Sequence, residues 1–174
     1  DKNAISHAVG TAHFFRAWQY FKLLKTYGGV PIADHSLDLT DPTLQAPRNS
    51  RYEVANFIIN DLKEAVKLLT KEKDIPDADK GKISKEAAQS FLARVALYEG
   101  TWQKSRNGNQ NTQRSANLLD IAAKAARTVI DAKYGYTFRL FGTDSETKIL
   151  GDSAQKYMFI LENEKSNPAG IKKS

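Results

Sequence analysis

The stretch from Arg16 to Pro31, reading RAWQYFKLLKTYGGVP, constrains this chain more than any other: an aromatic helix runs into a glycine pair and then a proline. Phe14, Trp18 and Phe21 recur at helical spacing, with Ala17, Tyr20 and Leu24 beside them. Gly28 can take the left-handed backbone that ends a helix at low steric cost, so the helix is expected to stop near Tyr27. Its start reads back to about Ala4, with Ile5, Ala8, Ala12, Phe15 and Trp18 among the inward candidates. Trp18, Phe21 and Leu24 are expected to be buried against the helix that follows.

That second helix carries the best local signature. Ser50-Arg51-Tyr52-Glu53 is a capping box, in which the serine hydroxyl and the glutamate carboxylate satisfy backbone donors left unpaired at a helix start. Val54, Phe57, Ile58, Leu62, Ala65, Val66 and Leu69 form one apolar stripe, opposite the polar row Glu53, Asn56, Asn60, Lys63 and Lys67. A third helix is expected after Ser84, a good N-cap with Ile83 as its hydrophobic staple. Its pairs Ala87/Ala88, Phe91/Leu92 and Val95/Ala96 step by four, and Gly100 marks its expected end. A fourth, alanine-rich helix reads from about Ser115 to Lys133, and beyond Tyr136 the periodicity fails. Tyr157 to Leu161 is short enough for either a strand or a buried helical turn.

Three connectors separate these helices. Gly28 to Asn49 is a 22-residue loop with three of the five prolines, and loops of that length inside a compact domain are usually functional or disordered. Lys71 to Lys82 reads as a solvated turn, and Lys104 to Arg114 as a polar, mobile one. No 34-residue period is visible, so self-similarity does not establish a repeat protein, although antiparallel helix pairs with alanine at their contacts are compatible with one.

Composition excludes several function classes. The net charge of +6 is scattered through every segment and interleaved with acids, whereas a nucleic-acid footprint needs clustering on one face; nucleic acid is not expected as a partner. The absence of cysteine removes disulfides and thiolate metal sites. The longest apolar run falls far short of the ~20 residues that span a bilayer, so the chain as given reads as soluble. It begins at Asp1 without an initiator methionine, inside an expected helix, and is taken as a piece of something longer.

Four segments, in order, resemble the SusD/RagB family, the glycan-capturing outer-membrane lipoproteins of Bacteroidetes. Arg16 to Pro31 is similar to its R-A-x-x-Y-x-x-L…Y-G-G-V-P pattern. Tyr52 to Leu69 resembles Y-x-x-I-x-x-D-L-x-x-A-x-x-L through Phe57, Ile58, Asp61, Leu62, Ala65 and Leu68. Ile83 to Tyr98 resembles K-x-A-A…L-L-A-R-V-Y-L-Y, and Ala122 to Tyr134 resembles A-x-x-A-x-x-V-I…Y. The resemblance covers roughly residues 5 to 140, while Tyr157 to Leu161 only loosely echoes the family's E-I-I-F-like strand. It implies an all-α fold of tetratricopeptide-like antiparallel helix pairs with long connecting loops, and a division into residues 1–142 as the helical domain and 143–174 as an irregular extension of a longer parent protein. It further implies a non-catalytic glycan-binding component of a nutrient-uptake system, surface-exposed at the outer membrane. Its partners would be an oligosaccharide or polysaccharide and a TonB-dependent transporter, with the membrane reached only through a lipid anchor missing from this chain. A generic helical-repeat adaptor recognising a peptide in its groove is the alternative of a different class.

Site chemistry is sparse. His7 and His13 are six apart, not the four a helical zinc pair needs, and His35 lies in a loop, so no metal is expected. Carboxylates such as Asp38, Asp41 and Glu99 read as solvated loop or helix-end groups, and no nucleophile elbow, P-loop or dinucleotide fingerprint occurs. Neither enzymatic activity nor a cofactor is expected. Glycan binding uses aromatic platforms with amides beside them. Trp102 precedes an amide-rich loop containing Asn107 and Asn109, and Tyr134 and Tyr136 flank Gly135. These five are the candidate glycan contacts, and the commoner role of such aromatics is to anchor helix ends against the core.

Overall fold

In a computed structural model, which describes residues 2–106 and 109–135, the chain forms four α-helices in sequence order. They are α1 (Lys2–Tyr27), α2 (Arg51–Leu68), α3 (Lys85–Lys104) and α4 (Asn109–Ile130), with 3-10 turns at Pro42–Gln45, Glu72–Asp74 and Asp77–Asp79. Each helix packs antiparallel on the one before it. Ser6 donates to the Leu68 carbonyl at one end of the α1–α2 pair, and Arg51 to the Leu24 carbonyl at the other. Arg51 reaches Glu99 across α2 and α3, and Ser115 donates to the Gly100 carbonyl between α3 and α4. No strand occurs among the described residues, so the all-α expectation holds; Tyr157 to Leu161 lies outside them.

The caps form as the residues dictate. Ser50 and Glu53 close both halves of the capping box, Ser84 accepts from the Ala87 amide, and Gly28 stops α1 at φ +75° with its N–H on the Leu24 carbonyl. The core joins Phe14, Ala17, Phe21 and Leu24 of α1 to Val54, Ile58 and Leu62 of α2, Phe91 and Val95 of α3, and Leu118, Ala122 and Ala125 of α4. Side-chain rings bridge α1 and α3: Phe91 lies 5.4, 5.0 and 5.6 Å from the rings of Phe14, Trp18 and Phe21.

Three sequence expectations need correction. The inward face of α1 is rotated from the one expected: Ile5 is 65% exposed and Phe15 49%, and Ala8 and Ala12 also face out. Because α1 is apolar around its whole circumference, periodicity cannot single out one face. Trp18 is accordingly half-buried and packs on α3, whereas Phe21 and Leu24 are buried as expected. Second, α3 continues four residues beyond Gly100. That glycine permits close helix approach rather than a stop, since a Cβ there would stand 3.0 Å from the Leu119 side chain. Third, α4 opens at Asn109, six residues before Ser115, and takes in most of the expected polar loop. Asn, Gln and Thr are only mildly unfavourable to helix, and neither Gly nor Pro interrupts residues 109–114.

Phe91→Ala is expected to cost ~3–5 kcal/mol, as large-to-small changes at buried aromatics do. Ile5→Ala should stay within about 0.5 kcal/mol. Equal urea midpoints for the two variants would contradict this assignment of the core.

Candidate functional site

The end of the bundle where α1 stops, α2 begins and α3 finishes gathers a network of polar and aromatic side chains. Arg51, the first residue of α2, sits there because the capping box fixes the helix start one residue earlier. Its Nε lies 3.0 Å from both carboxylate oxygens of Glu99, its Nη2 donates to Oε2 at 2.7 Å, and its Nη1 donates to the Leu24 carbonyl at 3.2 Å. Gln103 donates a further hydrogen bond to Glu99 Oε1 at 2.8 Å. Glu99 is 0% exposed, which corrects its reading as a solvated helix-end carboxylate. One helical turn on, Trp102 is half-buried, with the Arg51 guanidinium carbon 3.9 Å and that of Arg106 4.5 Å from its ring centroid. Arg114 covers the neighbouring Tyr52 ring at 4.0 Å. A guanidinium stacked this way stays charged and keeps its in-plane N–H groups for hydrogen bonds. Those of Arg51 go to Glu99 and the Leu24 carbonyl, whereas Arg106 is exposed and can meet ligand hydroxyls or carboxylates.

The structure does not gather all the sequence candidates. Asn109 opens α4 directly after the turn that follows Trp102, and Asn107 lies outside the described residues. Tyr134 belongs to the other end of α3: its hydroxyl donates to Gln89 Oε1 at 3.2 Å, and the Lys85 ammonium lies 5.7 Å from its ring. Thirteen residues of helix separate Gln89 from Trp102, about 20 Å along the axis. Burial, followed by the charge of Glu86, pushes the Tyr134 phenol above its ordinary range. Tyr136 lies outside the described residues. Arg51, Tyr52, Arg106 and Arg114 escaped sequence reasoning. One signal was available for Arg51, a cation at the first position of a capped helix facing a lone carboxylate, Glu99, in an otherwise apolar register of α3.

The long loop from Gly28 to Asn49 is ordered by polar contacts. Asn49 closes its base, donating its N–H to the Val30 carbonyl while its side chain accepts from the Ile32 amide. Tyr20 accepts the Ala33 amide at 2.7 Å, and Arg16 donates to the Asp34 carbonyl at 3.0 Å while forking onto the buried Asp61. At its tip, His35 bridges two carboxylates, with Nδ1 2.7 Å from Asp34 and Nε2 2.7 Å from Asp41. Asp34 and then Asp41 hold the His35 imidazole above its ordinary range, while Thr43, through hydroxyl and amide, and then His35 push Asp41 down to about 2. The clasp presents Leu39, 98% exposed, at the tip. Among the described residues, no group of three or more His, Cys, Asp or Glu side chains is placed to hold a metal ion, and no helix is long and apolar enough to cross a membrane.

An antiparallel helical scaffold with a long clasped loop and an aromatic–arginine end places the chain among all-α helical proteins, and comparison with known proteins gives the family. The SusD-like family described as starch-binding and associating with the outer membrane matches residues 1–97, and the chain belongs to that family. It is similar to a SusD-like protein of Bacteroides ovatus, 31% identical over 128 residues that make up 74% of this chain and 21% of the relative. SusD-like protein P2 of Formosa agariphila is 31% identical over 60% of this chain and 20% of its own length. Among solved structures, a SusD-like protein of Bacteroides fragilis superposes with a TM-score of 0.64 at 30% identity, covering 84% of this chain and 24% of that one. A protein solved with a xylogluco-oligosaccharide superposes with a TM-score of 0.60 at 26% identity, covering 81% of this chain and 26% of its own. The chain thus spans about a fifth to a quarter of the length of these relatives.

Glu99→Ala leaves Arg51 buried without its counter-ion and is expected to cost ~3–5 kcal/mol, the usual penalty for removing one partner of a buried pair. A loss below about 1 kcal/mol by urea denaturation would show that the pair is dispensable. The loop tip has a pH window. Protonated His35 is favoured in the fold, so its contribution is complete below the ordinary value of 6.5 and lost as pH rises through the elevated one. Asp41 contributes above its ordinary 3.8 and is lost as pH falls through about 2. The His35 ring resonances should therefore titrate above 6.5 in an NMR pH series, and a midpoint at or below that value contradicts the clasp.

Proposed function

We propose that this chain is the helical scaffold of a non-catalytic glycan-binding component of an outer-membrane nutrient-uptake system. It works with a TonB-dependent transporter and is held at the cell surface through a lipid anchor of the longer parent protein. Residues 1–142 form the scaffold and residues 143–174 an extension from it. Membership of a starch-binding family and similarity to a protein solved with a xylogluco-oligosaccharide support an oligosaccharide as ligand.

The observation that carries the reading on this chain is the Trp102 end of the bundle. It sets an indole and the Arg106 guanidinium just before the turn that leads into Asn109, a ring and charged donors within reach of one sugar. Trp102, Asn107 and Asn109 form the contact in this reading. Tyr134, at the other end of α3, lies apart from it and acts as an anchor through Gln89. Because Arg106 already covers the indole, a sugar must share or displace that guanidinium. This keeps the affinity of the scaffold alone low.

Titration with xylogluco-oligosaccharides or maltooligosaccharides at millimolar concentration is expected to change tryptophan fluorescence. The change should vanish in Trp102→Ala, leaving Trp18, the other of the two tryptophans, silent. A response that survives Trp102→Ala unchanged would overturn the assignment of the contact.

A further inference from the structure

The Trp102 end holds positive charge that the protein does not answer. Arg51 shows what a guanidinium over this indole does when a carboxylate is present: it lies 3.9 Å from the ring centroid while its edge forks onto Glu99, with Nε 3.0 Å from both oxygens and Nη2 2.7 Å from one. Arg106 lies over the same ring at 4.5 Å and is exposed. Arg114 lies at 4.0 Å over Tyr52, the residue after Arg51. Among the described residues the arginines held in ion pairs are Arg16, Arg51 and Arg127, and neither Arg106 nor Arg114 is one of them. Arg48 adds a third cation at this end, spending its Nε and Nη2 on the Gly29 and Tyr27 carbonyls. The acids of the adjoining helix ends are committed, since Glu99 is buried under Arg51 and Glu53 accepts the Ser50 amide in the capping box. The opposite end differs: beside the cleft of about 1140 Å³ between α1 and the segment joining α2 to α3, Lys67 and Lys82 are paired with Glu64 and Asp79.

A guanidinium packed on a ring has given up water from one face and keeps it at its edge, so the edge is the part that a ligand addresses. That edge presents parallel N–H groups, which match two oxygens of a carboxylate or of a sulfate ester. A neutral sugar has to push Arg106 aside to reach the indole. An acidic sugar can leave it in place, pairing its charge with the guanidinium edge while its ring packs beside Trp102. Resting on the reading of Trp102 as a glycan contact, we propose that this end of the bundle selects acidic glycans, chains whose sugars carry a carboxylate or a sulfate. Arg106 reads the charge and Arg114 supports it. The ligand's anionic group completes at Arg106 the fork that Glu99 completes at Arg51. Because Arg106 is exposed, the attraction is screened by salt over a Debye length of about 8 Å at physiological ionic strength.

The full chain is titrated with three oligosaccharides of equal length, a malto-oligosaccharide, an oligogalacturonate and a sulfated galacto-oligosaccharide, and binding is followed by tryptophan fluorescence and calorimetry. At low salt an acidic chain should bind on the order of tenfold tighter than the neutral one, and the advantage should shrink at high salt. Which acidic chain is preferred identifies the charged group. Arg106→Gln should remove most of the advantage, and Arg106→Lys should keep only part of it, because an ammonium keeps the charge without the fork. Arg127→Gln, towards the far end of α4, should leave the advantage unchanged. Equal binding of neutral and acidic chains, lost in both cases with Trp102→Ala, would overturn the acidic preference and leave the glycan reading standing. Absence of a Trp102-dependent response to all three chains would overturn the glycan reading itself. An acidic advantage that survives Arg106→Gln combined with Arg114→Gln belongs to the overall charge of the chain and overturns the proposal. So does inorganic sulfate or a single-stranded oligonucleotide binding through Arg106 as tightly as the acidic chains, the first assigning a bare anion and the second a nucleic acid.

Discussion

Glu99 has no exposed surface, although it lies only five residues before the end of α3. A carboxylate in that position is tolerable only with full compensation, and Arg51 and Gln103 supply it with donors from two helices. The rest of the structure is organised around this demand. Arg51 must sit at the first position of α2, so the capping box that fixes the helix start also fixes the register of the ion pair. The same guanidinium reaches the Leu24 carbonyl at the end of α1, so the Gly28 stop and the Ser50 start are locked to each other. Replacing the pair by apolar residues of similar volume would give a core of comparable stability. What it would lose is the covalently unlinked tie among three helix ends, and with it the position of Trp102, which rests on Arg51.

A second buried carboxylate, Asp61, performs the equivalent task in the middle of α2. Arg16 forks onto it, His13 Nδ1 lies 2.8 Å away, and the same arginine extends to the Asp34 carbonyl. The long loop is therefore held to the helices through arginine and tyrosine side chains of α1, together with Val30 and Ile32 packed against the core. This explains how a connector with exposed leucines at its tip keeps a defined course. It also separates the two ends of the molecule: one is closed by ion pairs and stacked arginines, and the other holds an open cleft.

Much of the fold was legible because its signals are local. The capping box at Ser50, the N-cap at Ser84, the left-handed stop at Gly28 and the stripes of α2 and α3 depend only on residues within a turn or two. Where the reading failed, the deciding atom belonged to another helix. Gly100 reads as a stop until Leu119 is placed against it, and Glu99 reads as solvated until Arg51 arrives from 48 residues away. In α1 a helix apolar on every side gives no inward direction by itself, and Phe91 decides it. The candidate site was less legible for the same reason. Trp102 could be chosen from its position before an amide-rich turn, but the arginines that cover it come from α2 and from beyond α3, and Tyr134 was grouped with it although a helix length separates them.

The two faces of α1 link this fold to the longer proteins it resembles. Its inner face, Phe14, Ala17, Phe21 and Leu24, is consumed by the bundle, while Ile5, Ala8, Phe15 and Leu23 leave a second apolar stripe on the outside. A single exposed apolar residue needs no explanation, but a continuous stripe along one helix points to a packing partner. Relatives four to five times longer have the chain to cover it. The Trp102 end lies away from that stripe, and it is held by the Arg51–Glu99 pair rather than by whatever covers α1.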